Sequence, residues 1–229
     1  MSQFLRTRNL PALSGHNARS NPATASSAIK TFLLHPSASI LLLATIGFGV
    51  YRISLGELGL ADGLIALILF AAWPVLEWLI HVVLLHNKPR SLRGRQIDFL
   101  LPQTHRWHHA DPWNLKWVFI PLHIYPLVGP LLIIASFWLL PSPELAATTL
   151  CLYFGFALHY EWVHYLAHIS WCPPLGYYRK RVQEHRWHHF RNESQWWGVS
   201  RGLADRLFGT APHVSDTEAS KTTGNILGN

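Results

Sequence analysis

Charge is scarce in this chain. Only 14% of its 229 residues are Asp, Glu, Lys or Arg, and acids are the rarer kind, 12 against 19 bases. A net charge of +7 carried by so few groups does not describe a nucleic-acid binder, whose contact face is densely basic and solvated, so no nucleic-acid partner is expected. Sulfur is scarcer still. One Met and two Cys are present, and Cys151 and Cys172 supply no disulfide framework. A helix that carries Cys151 and ends before Cys172 holds the two too far apart to bridge, so both are read as free thiols. Met1 to Lys30 contains no acid and no apolar core of the kind a secretory signal needs. Residues 1–30 are read as a disordered basic tail, and the polar end, 212–229, as a flexible one.

Tryptophan and long apolar runs are abundant. Four runs cover about 32–51, 63–85, 117–140 and 145–164. Each approaches the roughly 20 residues a helix needs to cross a bilayer. The third contains Pro121, Pro126 and Pro130, which neighbouring helices accommodate. Four such lengths are too many for a soluble helical protein of this size. The expected fold class is therefore all-α: a multi-pass membrane bundle of about four transmembrane helices. Bases precede the first run (Arg6, Arg8, Arg19, Lys30), follow the second (Lys88, Arg90, Arg93, Arg95, Arg106, Lys116) and follow the fourth. The two other connections carry only Arg52. The positive-inside bias then places both termini and the long middle connection in the cytoplasm.

Histidine is in excess, with fifteen in the chain. Ten fall in four clusters: His81 and His86; His105, His108 and His109; His164 and His168; His185, His188 and His189. The pentapeptide HRWHH supplies two of the clusters, at 105–109 and 185–189. Residues three and four apart share a helix face. The three imidazoles of each HRWHH are thus expected to converge on one point, with Arg and Trp turned elsewhere. His164 and His168 share a face in the same way. His81 and His86, five apart, converge only if the helix end tightens, unwinds or wraps the site. Imidazole is a ligand for Fe, Zn, Cu and Ni. Twice in order come two apolar runs, a histidine pair, a connection and HRWHH. The expectation is two similar halves, each delivering five histidines to a cytosolic, histidine-rich cap that holds two metal ions. His16, His35, His123, His159 and His213 fall outside the pattern and are read as non-ligands.

Metal-bound histidines usually donate their second N–H to a carboxylate or carbonyl. Glu77 lies four residues before His81 and Glu161 three before His164, while Asp98, Asp111, Glu184 and Asp205 flank the other clusters. These acids are the candidate acceptors. Arg106 and Arg186 are candidates for holding a lipid headgroup or an electron donor, against simple surface solvation.

The order H-x4-H, H-x2-HH, H-x3-H, H-x2-HH resembles the fatty acid hydroxylase and sterol desaturase superfamily, closest to fatty acid 2-hydroxylase-like proteins. The segments LEWLIHVVLLHNKPRS, HRWHHADPWNLKWVFIP, YEWVHYLAH and HRWHHFRNESQWWGVSRGLADRLFGT are similar to its four boxes, over about Glu77 to Thr210. The resemblance implies a membrane-embedded hydroxylase-like domain over 31–211 and a dinuclear site, normally two iron ions, that activates O2. Zinc could replace iron in a purified or crystallised form. The ten clustered histidines would be the catalytic metal ligands. The substrates implied are fatty acyl chains, sterols or related lipids, hydroxylated or, in some members, desaturated. No cytochrome b5 domain is visible, so electrons are expected from a separate donor protein of cytochrome b5, ferredoxin or reductase type. Two departures stand near the site: Leu203-Ala204-Asp205 where the family often has Leu-Trp-Asp, and Ile120-Pro121 where it has Pro-Pro. Trp73, Trp78, Phe154, Phe156 and Trp162 are candidate walls for the lipid chain. A zinc hydrolase usually needs three protein ligands and an open position, far fewer than ten. A transporter would favour ionisable groups near mid-membrane rather than at one face.

Overall fold

The computed structural model describes residues 15–227. The part of the expected N-terminal tail before Gly15 lies outside the described residues. From Gly15 to Leu227 the chain is folded. Asn21 is buried and donates to the carbonyls of Trp113 (2.9 Å) and His168 (2.7 Å). Helix α1, Ala25–Leu34, starts at a capping box in which Thr24 and Ser27 satisfy each other's backbone N–H groups. The tail boundary expected at Lys30 therefore falls inside a helix. Composition does not show this, because the segment orders through hydrogen bonds to distant residues and by burying Ala28 in the core.

The first apolar run is not one helix. It breaks at His35, and Pro36 opens α2, Pro36–Ser54, at the first helical position, where the missing N–H would have had no intrahelical partner. Helix α3, Leu60–Leu79, continues into a π-helical turn, Ile80–Leu85. Two three-residue strands follow, β1 Arg90–Leu92 and β2 Arg95–Ile97, paired antiparallel with Arg90 opposite Ile97. Arg93 and Gly94 both have positive φ (50° and 77°), the backbone of a two-residue hairpin turn. This hairpin is a small departure from the all-α expectation. Then come α4 Leu100–Ala110, α5 Tyr125–Leu139, α6 Pro143–Ala167, α7 Gly176–Phe190 and the short α8 Leu203–Leu207.

Helix α6 is the axis of the molecule. Helices α2, α3, α5 and α7 all pack on it. One core cluster lies at mid-bundle, around Leu41, Trp73, Leu150, Phe154 and Ala157. A second lies at the histidine end, around Phe32, Phe119, Tyr165, Leu166, Ile169 and Val182. Three stretches are long and apolar enough to cross a membrane: Pro36–Ser54, Leu60–Leu85 and Leu115–Leu139. Their outer faces expose large side chains, Leu43 at 68% and Trp138 at 81% among them. A surface that apolar suits lipid rather than water. The expected fourth span is α6, which is long enough but is not among the three. It is wrapped by its neighbours and carries buried Glu161 and His164, so its composition is that of a core helix.

At the end of the bundle away from the histidines, Arg52 is buried against Asp62. Its Nε and Nη2 donate to the two carboxylate oxygens at 2.8 and 2.6 Å, and Thr148 donates to the same carboxylate. The guanidinium also reaches the carbonyls of Gly56 (3.1 Å) and Glu57 (2.9 Å). This pair ties α2, α3 and α6 together. Removing one partner leaves the other charge buried and alone, whereas removing both does not. Arg52→Ala is expected to lower the thermal unfolding midpoint in detergent, and Arg52→Met combined with Asp62→Leu to recover most of it. An unchanged midpoint in the single variant would show that the clamp contributes nothing.

Candidate metal centre

All ten clustered histidines meet at one end of the bundle. They form two groups of five: His81, His86, His105, His109 and His188; and His108, His164, His168, His185 and His189. Within each group, one nitrogen per residue lies within 4.8 Å of the others. The five remaining histidines join neither group. The expectation that each HRWHH converges on one point is corrected. Its outer two histidines stay with their own half, and the middle one, His108 or His188, crosses to the other group. Helix geometry is the reason. At about 100° per residue, the middle position lies about 60° to one side of the first, and the last about 40° to the other side. One helix therefore faces two points.

The π-helical turn resolves the five-residue spacing of the first pair. The His86 N–H donates to the His81 carbonyl at 3.1 Å, an i to i+5 bond. The wider turn brings residues five apart onto one face, as α geometry does for His164 and His168. The helix end widens; it neither tightens nor unwinds.

Tautomers then test whether these residues suit a cation. His81 Nδ1 donates to the Trp197 carbonyl (2.6 Å), His188 Nδ1 to that of Gln195 (2.8 Å) and His109 Nδ1 to that of Thr223 (3.1 Å). A neutral ring that donates from Nδ1 has only a lone pair on Nε2. Yet His109 Nε2 and His188 Nε2 are 3.2 Å apart. Two lone pairs cannot hydrogen-bond, and protonating one ring is opposed. Burial first, then neighbouring imidazoles, hold His105, His108, His185, His188 and His189 well below the ordinary histidine value. His109 falls to about 3, again chiefly through burial. The same short Nε2 separations recur between His81 and His105 (3.2 Å), His108 and His164 (3.1 Å), and His185 and His189 (3.1 Å). Nitrogens about 2.1 Å from a shared ion lie about 3.0–3.4 Å apart. The buried Nε2 atoms of His86 and His168, the second member of each pair, have no hydrogen-bond partner. The donor set fits two metal ions.

Arg and Trp of each pentapeptide build the frame, in matching ways. Arg106 donates to the Asn87 carbonyl (3.0 Å) just after His86, and pairs with Asp98 (2.5 Å). Arg186 donates to the carbonyls of Ala167 (2.8 Å) and Ile169 (2.7 Å), on either side of His168. Each arginine thus ties down the helix end that carries its own half's histidine pair. Neither is a solvated surface residue with a free head. Trp107 packs on Trp117 and Trp187 on Trp196.

The histidine acceptors seen are carbonyls, where the sequence suggested carboxylates. Glu77 accepts from Ser200 N (2.6 Å) and Oγ (2.5 Å). Asp205 accepts from Trp197 N (2.9 Å), Gly198 N (2.7 Å) and Thr210 Oγ1 (2.6 Å). Burial raises the Asp205 carboxyl, while these bonds pull it back down. The two acids grip the loop 195–200, which presents its carbonyls to His188 and His81. Trp196, between those carbonyls, holds φ 53°, an uncommon conformation for a large side chain. Glu161 accepts from Ser37 Oγ and from Ile120 N (2.7 Å), a donor that a proline at 120 would lack. Glu184 pairs with Arg181 and, at 3.8 Å, with Lys180. Asp111 is buried and accepts from Asn114.

A cavity of about 240 Å³ reaches the histidines from the membrane side. Trp73, Phe119, Ile120, Tyr153 and Tyr160 are among its walls, and His105 and His164, one from each group, lie on its lining. Leu76, Leu84 and Val128 also line it and are 37, 48 and 38% exposed, so it borders the lipid-facing surface. Of the expected walls only Trp73 belongs here. Trp162 packs beside Phe32, Phe154 and Phe156 pack at mid-bundle, and Trp78 donates to Thr210 Oγ1 at 3.0 Å. Sequence reading missed Tyr153, Tyr160 and Ile120, which no spacing rule separates from other apolar helix residues.

A family model described as fatty acid hydroxylase matches residues 66–210. A dihydroceramide fatty acyl 2-hydroxylase of Arabidopsis thaliana is 30% identical over 153 residues, 66% of this chain and 62% of its own length. A fatty acid 2-hydroxylase of Homo sapiens is 31% identical over 152 residues, 62% of this chain and 39% of its own. The match thus spans less than two thirds of either relative. A solved structure of full-length Scs7p, with only its hydroxylase domain visible, aligns with a TM-score of 0.64 at 20% identity. It covers 93% of this chain and 76% of that one, a likeness of fold.

Two outcomes follow from this geometry. In metal-free protein the buried imidazoles are neutral, with values depressed from an ordinary 6.5. The unfolded chain then binds more protons below that value, so their contribution to stability is complete above about pH 6.5 and is lost as pH falls. Chelator-treated protein should unfold at a lower temperature at about pH 5 than at about pH 7.5; equal midpoints would contradict the buried cluster. At Gly198, a Cβ would meet the Arg201 carbonyl at 2.3 Å and Asp205 Oδ2 at 2.8 Å. Gly198→Ala should move the loop off His81, lowering both the unfolding midpoint and metal uptake in elemental analysis.

Proposed function

This chain belongs to the fatty acid hydroxylase family, and from that premise we propose that it is a membrane-bound, O2-dependent lipid hydroxylase with a non-haem di-iron centre. The observation that carries the reading is a juxtaposition: His105 of one five-histidine group and His164 of the other line the inner end of an apolar cavity that borders the lipid face. Two iron ions held by His81, His86, His105, His109 and His188 and by His108, His164, His168, His185 and His189 would activate O2 for insertion of one oxygen atom into an unactivated C–H bond.

The chain's own residues do the rest. Backbone carbonyls hold three ring N–H groups outward, which keeps the inner lone pairs available. Burial keeps the rings neutral, so no proton competes for those lone pairs. Trp73, Phe119, Ile120 and Tyr153 keep water from a substrate chain that enters laterally from the bilayer and bring one carbon toward His105 and His164. The relatives' names, fatty acid 2-hydroxylase and dihydroceramide fatty acyl 2-hydroxylase, support an acyl chain as the substrate. The reaction balances as one C–H bond, O2, two electrons and two protons giving C–OH and water. The electrons come from a separate donor protein. Lys88, Arg90, Arg93 and Arg95 at the histidine end of α3, against Arg52 paired at the other end, support a cytoplasmic site.

Iron-loaded enzyme in lipid, supplied with an electron donor, an acyl lipid and 18O2, should yield product heavier by one labelled oxygen. Label taken from water, or turnover without O2 with zinc bound, would refute the reading; loss of two hydrogens would make the enzyme a desaturase. His188→Ala and His108→Ala should each abolish product and lower bound metal by about one ion, while membrane insertion persists.

A further inference from the structure

Residues His213–Ile226 follow the segment matched to the family, and they are not a loose end. Thr217 and Ile226 are buried. Arg191 Nε donates to the Thr217 carbonyl at 2.8 Å, and Ser220 N–H donates to the Arg191 carbonyl at 2.8 Å. Thr222 Oγ1 donates to Glu193. Arg191 and Glu193 belong to the turn that follows His189, so the strap is pinned to the segment just beyond the second HRWHH. The pinning places the Thr223 carbonyl 3.1 Å from His109 Nδ1. This corrects the expectation of a flexible tail over 212–229 for its described part. Hydrogen bonds to a preceding turn order the strap, and sequence composition does not display them.

We propose that this C-terminal strap is a positioning element for one of the two metal ions, with the Thr223 carbonyl fixing the ring of His109. The proposal rests on the metal reading above. Its force lies in an asymmetry between halves that otherwise correspond. His109 and His189 are the equivalent last histidines of the two pentapeptides, and their rings stack with centroids 4.2 Å apart. His109 Nδ1 has its carbonyl; His189 Nδ1 has no hydrogen-bond partner. The Nδ1 groups of His81 and His188 reach the 195–197 loop and sit in the same five-histidine group as His109. The strap's carbonyl therefore reaches a ring of the group of His81, His86, His105, His109 and His188. Losing a group that orients a ligand typically costs about 10–100-fold in metal affinity.

The test compares the full chain with a chain lacking residues 222–229 and with two single variants that loosen the pin, Thr222→Val and Glu193→Gln. Each is purified in detergent and titrated with cobalt(II) against a chelator, with elemental analysis and helix content measured in parallel. The full chain should take two ions. The shortened chain should hold one at unchanged affinity and the other about 10–100-fold more weakly, with one set of cobalt absorption bands altered and helix content preserved. Thr222→Val and Glu193→Gln should shift the same ion, by less. Both ions bound as in the full chain would overturn the proposal. If the shortened chain aggregates, the two single variants decide: wild-type affinity at both sites in both variants overturns it. A full chain that binds no cobalt, zinc or iron overturns the metal reading itself, an outcome distinct from two ions retained without the strap.

Discussion

Ten imidazoles, nine of them buried and each with a nitrogen turned toward its neighbours, are the constraint from which the architecture follows. Protonation cannot relieve the crowding, because burial and mutual repulsion hold the rings neutral. Hydrogen bonding cannot relieve it either, since His109 and His188 already spend their N–H groups on carbonyls. An unsatisfied buried polar group costs about 1–3 kcal/mol. Cations bound at the lone pairs would remove that cost, provided the surrounding chain is stiff enough to hold the rings in place.

The stiffness comes from a frame outside the rings. Each HRWHH arginine fastens the helix end that bears its own half's histidine pair, and each tryptophan packs on another tryptophan. Glu77 and Asp205 grip one loop from two sides, and that loop returns carbonyls to His81 and His188. The scarce acids thus act one step further out than their spacing suggested. Carboxylates brace the backbone, and the backbone orients the ligands.

The bilayer explains why the site sits where it does. Helices α2, α3 and α5 present apolar faces outward, so the cavity between α3, α5 and α6 can border lipid directly. Helix α6 is the packing axis of the bundle. Its polar residues Glu161 and His164 are tolerated there because neighbouring elements bury them.

Period and order made the histidine cluster legible in the sequence: imidazoles three, four and five apart, repeated in two halves, name the ten residues that meet. Apolar run lengths likewise located the three stretches long and apolar enough to cross a membrane, and counted α6 with them. Other features were not legible, because they depend on residues far apart in the chain. The crossing of His108 and His188 between groups needs two helices set at a definite angle. The folding of both expected tails involves contacts distant in sequence, among them Asn21 to the His168 carbonyl and His109 to that of Thr223, across 147 and 114 residues. Sequence alone determined which atoms could bind metal, since donor chemistry belongs to each side chain. Only the tertiary structure decided which five share a centre and what orients them, because ring direction is set by backbone brought from elsewhere in the chain.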